Sequence, residues 1–135
     1  EDEDLYLLGD HIQITSAIYN LLDNAIKYTE EGTGKIDIII QAKENNIEVM
    51  ISDNGIGIPE SSHNRVFERF YRVDPSRSRE SGGTGLGLAI VRHVVLNHDG
   101  KISLDSKEGQ GTSFTISLPQ QKQDQIETNP TEVKV

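Results

Sequence analysis

The stretch NLLDNAIKYT, Asn20 to Thr29, carries the pattern from which the rest of the chain can be read. Leu21, Leu22 and Ala25 continue a series begun by Ile14, Ala17 and Ile18, so about Ile12 to Thr29 reads as a helix with one buried face. At about 100° per residue, Asn20, Asn24 and Lys27 share a stripe away from that face. Asparagine is a poorer helix former than Glu, Lys or Arg, so two of them on one stripe require a reason. A solvated face is the plain alternative, and from this helix alone the two readings stand even. An asparagine carbonyl is a neutral, hard oxygen, of the kind Mg²⁺ takes beside phosphate and water oxygens. A lysine one turn away can meet a phosphate charge.

On the N-terminal side, LYLLGD (Leu5 to Asp10) reads as a strand ending in turn residues. On the other, EEGTG ends the helix, with Gly32 as its C-cap. KIDIIIQA and NIEVMISD read as two strands joined by KENN; Ile47, Val49 and Ile51 alternate as expected for one buried sheet face. After DNGIGIP, a short helix is expected over Asn64 to Tyr71, with Val66, Phe67 and Phe70 inward. Val73 to Thr84 is polar, has no apolar period, and is long enough to suggest a functional loop. Gly85 to His98 restarts as a helix with Gly100 as C-cap. KISLDS and TSFTISLP form a hairpin across KEGQG. Short turns between strands favour antiparallel pairing. The expected fold is an α/β (α+β) two-layer sandwich: a mixed, mostly antiparallel sheet with helices on one face, and not a doubly wound parallel sheet.

The chain has 135 residues, of which 34% are hydrophobic, enough for one domain with a modest core. Residues 1–119 are assigned to that domain, and the polar residues 120–135 are expected to be disordered. A net charge of −9 argues against nucleic acid as a partner, although Arg69, Arg72, Arg77 and Arg79 form one basic stretch. No run of 18 apolar residues suggests a membrane span. Cysteine is absent, which excludes disulfides and thiolate metal sites.

Three glycine-bearing motifs carry the remaining chemistry. DNGIGIP places Asp53 at a strand end before Gly55 and Gly57, where backbone can approach a ligand closely. A carboxylate there can accept a hydrogen bond from an exocyclic amine, although Asp-Asn-Gly is also ordinary turn composition. GGTGLGLAI opens a helix with Gly82, Gly83, Gly85 and Gly87; helix N-termini favour anionic phosphate. It lacks the Lys-Ser/Thr ending of a Walker loop, and a flexible hinge is the alternative. GQGT by itself reads as a tight hairpin. His11, His63, His93 and His98 show no ligand spacing and read as surface or capping residues.

Together and in this order, these motifs resemble the catalytic and ATP-binding domain of bacterial sensor histidine kinases, in the GHKL ATPase superfamily with its Bergerat fold. NLLDNAIKYT resembles the N box, DNGIGIP and GGTGLGLAI the glycine boxes, FERFYR the F box, and GQGTSFTISLP the last motif; the run from FERFYR onward is most similar to phosphate-regulon-type kinases. The resemblance implies ATP and Mg²⁺ as ligands. Asn24 is implied as the Mg²⁺ ligand with Asn20 assisting, Lys27 beside the phosphates and Tyr28 beside the nucleotide. Asp53 is implied to bind the adenine amine with support from Thr112, with Gly55, Gly57 and Ile58 in the nucleotide pocket. Val73 to Thr84 would be the lid, and the backbone of Gly83, Thr84, Gly85, Leu86, Gly87 and Leu88 would hold phosphates. Arg72 would contact the γ-phosphate; Asn20, Lys27 and Arg72 are the implied catalytic residues.

The resemblance also implies partners: a dimerisation and histidine phosphoacceptor domain of the same kinase, and a response regulator. The parent is expected to be anchored in the bacterial inner membrane, with this domain cytoplasmic and out of direct membrane contact. The domain's first strand is expected to be missing or replaced, and no histidine sits in an H-box context. Phosphoryl transfer to a histidine on another domain is therefore the expected activity. Clamp-driving hydrolysis, as in the gyrase, Hsp90 and MutL branches, needs a glutamate where this chain has Asn20. A non-catalytic nucleotide module and a serine kinase acting on an anti-sigma partner are further alternatives.

Overall fold

The computed structural model describes residues 5–30, 32–73, 86–121 and 132–134. Strand β1 (Tyr6–Leu8) leads into helix α1 (His11–Lys27), which is followed by β2 (Ile36–Lys43), β3 (Asn46–Asp53), helix α2 (Gly87–Asn97), β4 (Lys101–Lys107), β5 (Gly111–Pro119) and β6 (Glu132–Lys134). Asp10 starts α1: its carboxylate accepts the Gln13 N–H at 3.0 Å, the usual N-cap arrangement.

Four strands form one sheet in the order β2-β3-β5-β4, and each neighbouring pair is antiparallel. No parallel pair of the expected mixed sheet falls among the described strands. The register sets Ile47 opposite Leu118, Val49 opposite Ile116 and Ile51 opposite Phe114, so one face presents a continuous apolar surface. Ile14, Ala17, Leu21 and Ala25 of α1 and Val91, Val94 and Val95 of α2 bury against it. The opposite face is polar, as at the Ser52–Ser113 hydroxyl pair, 2.6 Å apart. The result is the two-layer sandwich, with both described helices on one face.

The two helices are also tied end to end. His98, just past α2, donates from Nδ1 to the Val94 carbonyl at 2.7 Å and accepts the Asp10 N–H on Nε2 at 2.9 Å. This histidine is a capping residue, as expected, and its two bonds define its tautomer.

Several local expectations are corrected. Asn64 to Tyr71 is not a helix: a single 3₁₀ turn at Glu60–Ser62 is followed by successive turns. Val66 is buried there and Phe67 and Tyr71 are half-buried, too little apolar packing to hold a short helix. Phe67 meets Phe114 edge-on, with centroids 6.1 Å apart. Phe70 points out, 69% exposed, with a left-handed backbone at φ 65°. Gly32 does not cap α1; Tyr28 does, its N–H reaching the Asn24 carbonyl at 3.3 Å. At the end of α2 the left-handed position is held by Asp99, at φ 57°, and Gly100 follows, donating to the Val95 carbonyl at 2.9 Å. Near the C-terminus, Glu132–Lys134 are not without structure: they pair antiparallel with β1. Among the described residues no helix is long and apolar enough to cross a membrane.

Leu21 is fully enclosed between the helices and the sheet. Leu21→Ala should cost about 2–5 kcal/mol of stability, read as a lowered urea midpoint with unchanged slope.

Candidate nucleotide-binding site

Asp53 ends the buried row of β3. It follows Ile47, Val49 and Ile51 on the same face and stands opposite Thr112 of β5, which is itself buried. A carboxylate thus occupies the place where the apolar row would continue. Its Oδ1 accepts the Gly55 N–H at 2.9 Å. Burial raises its pKa above the ordinary 3.8, opposed by hydrogen bonds from the Gly55 and Thr112 backbone.

The loop after Asp53 is clamped by backbone on two sides. Ile56 donates its N–H to the Tyr28 carbonyl at the end of α1, at 3.2 Å, and accepts the Gly109 N–H from the β4–β5 hairpin, at 2.8 Å. A Cβ on Gly55 would overlap the Tyr28 carbonyl, and one on Gly57 would overlap the Lys107 carbonyl. Gly57 also needs a positive φ, 72°. Both glycines are therefore required by close approach. The GQGT hairpin is more than a tight turn, since it forms one wall of this loop.

Ser106 ties this candidate site together, and the sequence reading missed it. Its Oγ accepts the Ile58 N–H at 2.8 Å and donates to the Gly111 carbonyl at 3.0 Å, with Thr112 Oγ1 at 2.8 Å. The single Ser106 proton lies on Gly111, so Thr112 donates its own proton to Ser106. The free side of the Thr112 hydroxyl can then only accept. His63 adds support, donating from Nε2 to the Ile58 carbonyl at 2.8 Å. Asn54 pins the neighbouring loop, accepting the Lys35 N–H at 2.7 Å and donating to the Thr33 carbonyl at 3.1 Å. Ser106 and Asn54 are common polar types, and only their partners distant in sequence reveal their roles.

On α1, Asn20 donates from Nδ2 to the Ser16 carbonyl at 2.8 Å, which leaves its Oδ1 as an acceptor. That oxygen faces the start of α2: a Cβ on Gly87 would lie 3.2 Å from it. Asn24 is half-buried, and its side chain forms no hydrogen bond among the described residues. Lys27 is paired with Asp23 on its own helix at 2.9 Å. Tyr28 joins α1 to the Asp53 loop through its carbonyl. Leu86 precedes α2, which begins at Gly87 without a side-chain cap, and Leu88 packs against the core. Arg72 is half-buried and makes no ion pair among the described residues. Gly83, Thr84, Gly85 and nearly all of the expected lid lie outside the described residues. Asn20, Asn24, Tyr28, Asp53, Gly55, Gly57, Ile58 and Thr112 are thus linked through α1, the Asp53 loop and the hairpin. Among the described residues no three His, Cys, Asp or Glu side chains gather as a metal group. Asparagine oxygens suit Mg²⁺ held largely by phosphate and water.

A family model described as histidine kinase-, DNA gyrase B- and HSP90-like ATPase matches residues 9–122. The chain belongs to this ATPase family. It is 51% identical over 114 residues to the sensor-like histidine kinase SenX3 of Mycolicibacterium smegmatis, covering 84% of this chain and 29% of that protein. The chain therefore spans under a third of that relative's length. Among solved structures, the mycobacterial sensor histidine kinase MprB superposes with a TM-score of 0.75 at 35% identity, covering 86% of this chain and 78% of that one. Full-length ShkA in complex with AMPPNP matches with a TM-score of 0.69 at 28% identity, over 80% of this chain and 21% of that one.

A raised carboxyl pKa means that the folded chain binds this proton more tightly than the unfolded chain. Asp53 then contributes no penalty below its ordinary pKa of 3.8 and the full penalty above the raised value. Asp53→Asn removes that ionisation while keeping an acceptor oxygen. Urea denaturation without ligand should therefore show the variant gaining on wild type as pH rises from about 4 to about 7. A pH-independent difference would mean that burial does not strain this carboxylate.

Proposed function

We propose that this chain binds Mg²⁺-ATP and transfers the γ-phosphoryl group to a histidine on a separate dimerisation and phosphoacceptor domain. The observation that carries this reading is the pairing of two acceptors, the Asp53 carboxylate and the Thr112 hydroxyl, at the closed end of the β3–β5 row. Two adjacent acceptors suit an exocyclic amine, with two N–H protons, and disfavour a base that presents a carbonyl there. This favours adenine over guanine. The complex of ShkA with AMPPNP supports an adenine nucleotide as ligand.

Phosphoryl transfer asks mainly for position and charge neutralisation. Asn24 would hold Mg²⁺, with the Asn20 oxygen beside it; the ion supplies positive charge to the phosphates. Lys27 would exchange Asp23 for phosphate, a modest change because the pair is partly exposed and on one helix. Arg72 is the second cation available. The start of α2 would present backbone N–H groups to phosphate, with Gly83, Thr84 and Gly85 completing that loop. Asn20 has no basic atom and its amide nitrogen is engaged with Ser16, so it cannot activate water. That separates transfer from hydrolysis within a family whose description covers both kinases and gyrase- or HSP90-like ATPases. The naming of SenX3 as a sensor-like histidine kinase supports a response regulator downstream and a cytoplasmic place for this domain in a membrane-anchored parent.

Asp53→Asn should weaken ATP binding roughly 10- to 100-fold by titration calorimetry, the worth of a hydrogen bond to a charged group, with folding retained. Unchanged affinity would remove the adenine reading. The activity itself is tested by mixing the chain with the separately made phosphoacceptor domain of its own kinase, Mg²⁺ and γ-labelled ATP. Acid-labile label on the acceptor histidine is expected. Rapid phosphate release without labelled protein would favour hydrolysis instead.

A further inference from the structure

Strand β2 is an edge strand that the fold leaves bare. Among the described residues it pairs only with β3, and every residue from Asp37 to Lys43 is exposed. Edge strands are normally blunted by proline, bulges or inward charge. β2 has none of these: its register with β3 is unbroken from Ile36 to Lys43, and Ile38, Ile39 and Ile40 stand in succession at its centre. Ile38 and Ile40 lie opposite Ile51 and Val49, so they belong to the helix-side face. They are nonetheless 51% and 46% exposed, whereas their neighbours on β3 are buried.

The position of α1 accounts for this. α1 rests on β3 and meets the start of α2 along the flank that carries Asn20. α2 lies on β4 and β5, so the opposite flank of α1, with Ile18, Leu22 and Ile26, is turned toward the β2 side. Ile26 is 62% exposed. Two apolar surfaces thus border one uncovered channel.

We propose that β2 is a self-association edge, pairing antiparallel with β2 of a second copy about a two-fold axis through Ile40. The charge pattern selects this occupant and this register. With Ile40 opposite its own counterpart, Asp37 of one copy lies opposite Lys43 of the other, on the same face, and the pair occurs twice. Ile38 meets Ala42 and Ile39 meets Gln41. A slip of two residues would place Asp37 opposite Gln41 or Asn45 and lose both pairs. The sheet then continues through both copies with α1 and α2 of each on one side. Three strand spacings of about 4.8 Å separate β3 from its counterpart, so the two α1 helices stand about 14 Å apart. That exceeds the 8–10 Å of directly packed helices and leaves room for Leu22, Ile26, Ile38 and Ile40 from both copies. The Asp53 end of β3 lies away from the axis, beside Ile36.

Sedimentation of the whole chain across a concentration series tests this, with Asp37→Lys, Lys43→Asp and the double exchange. Wild type should show a monomer–dimer equilibrium. Each single variant puts like charges opposite each other twice and should weaken dimerisation roughly three- to tenfold. The double variant should recover the wild-type constant. Its 3.9 Å contact between Lys35 and Asp37 within one chain is not restored, so recovery identifies the pairs between copies. Ile40→Lys should abolish the dimer while circular dichroism remains native. Monomer at all concentrations, or a double variant no better than the singles, would overturn the proposal.

Discussion

Backbone hydrogen bonds passed through Tyr28 and Ile56 hold the site together. The Asn24 carbonyl accepts from Tyr28, the Tyr28 carbonyl accepts from Ile56, and the Ile56 carbonyl accepts from Gly109. This relay runs from the last turn of α1, through the loop after β3, into the β4–β5 hairpin. Three segments far apart in sequence are brought to main-chain contact, and side chains at Gly55 or Gly57 would force them apart. The polar stripe of α1 and the Asp53 recess are otherwise separate surfaces. Joined, they would, on the proposed function, address two parts of one ligand, the phosphates from Asn20, Asn24 and Lys27 and the base from Asp53 and Thr112.

The recess stores a small electrostatic cost. Asp53 prolongs an apolar row, so desolvation opposes its charge, while the Gly55 and Thr112 N–H groups support it. Ser106 and Thr112 lie in the same half-dry space and use hydrogen bonds to satisfy each other and the backbone of Ile58 and Gly111. Among the described residues no buried side-chain polar atom lacks a partner. A carboxylate under mild strain, beside a hydroxyl with only lone pairs to offer, is arranged to gain from an arriving amine. The proton of Thr112 is directed by Ser106, so the acceptor character of the pocket is decided by a residue outside the glycine boxes.

Much of this was legible in the sequence because it is periodic. The apolar series of α1, the alternation of β3 and β5, and the short turns between strands report local packing, and the expected antiparallel sandwich follows from them. Asp53 and its glycines were legible for another reason: a carboxylate and paired glycines at a strand end are unusual enough to imply close approach. What escaped depends on contacts distant in sequence. Ser106 is one serine among many until Ile58 and Thr112 surround it. The stretch Asn64 to Tyr71 has helical spacing at Val66, Phe67 and Phe70, but only the first two are covered, Phe67 by Phe114 of the sheet, and Phe70 turns outward. The β1–β6 pairing joins strands more than a hundred residues apart whose sequences carry no distinctive pattern.

The exposure of β2 follows from how the site is built. The described helices leave one edge of the sheet, β2, without a second layer. Ile102 and Leu104 of β4 are packed against the core, while Ile38 and Ile40 of β2 are not. The helical layer is therefore set toward β4. The contact of Asn20 with Gly87 explains that placement, because the asparagine stripe must face the start of α2 if both are to meet the phosphates. Moving α1 outward to bury Ile38 and Ile40 would separate Asn20 from Gly87 and draw Tyr28 away from Ile56. On the proposed function, the requirements of the ligand site leave a hydrophobic strand in solvent, and an isoleucine-rich edge flanked by Asp37 and Lys43 is suited to a partner that presents the same edge in reverse.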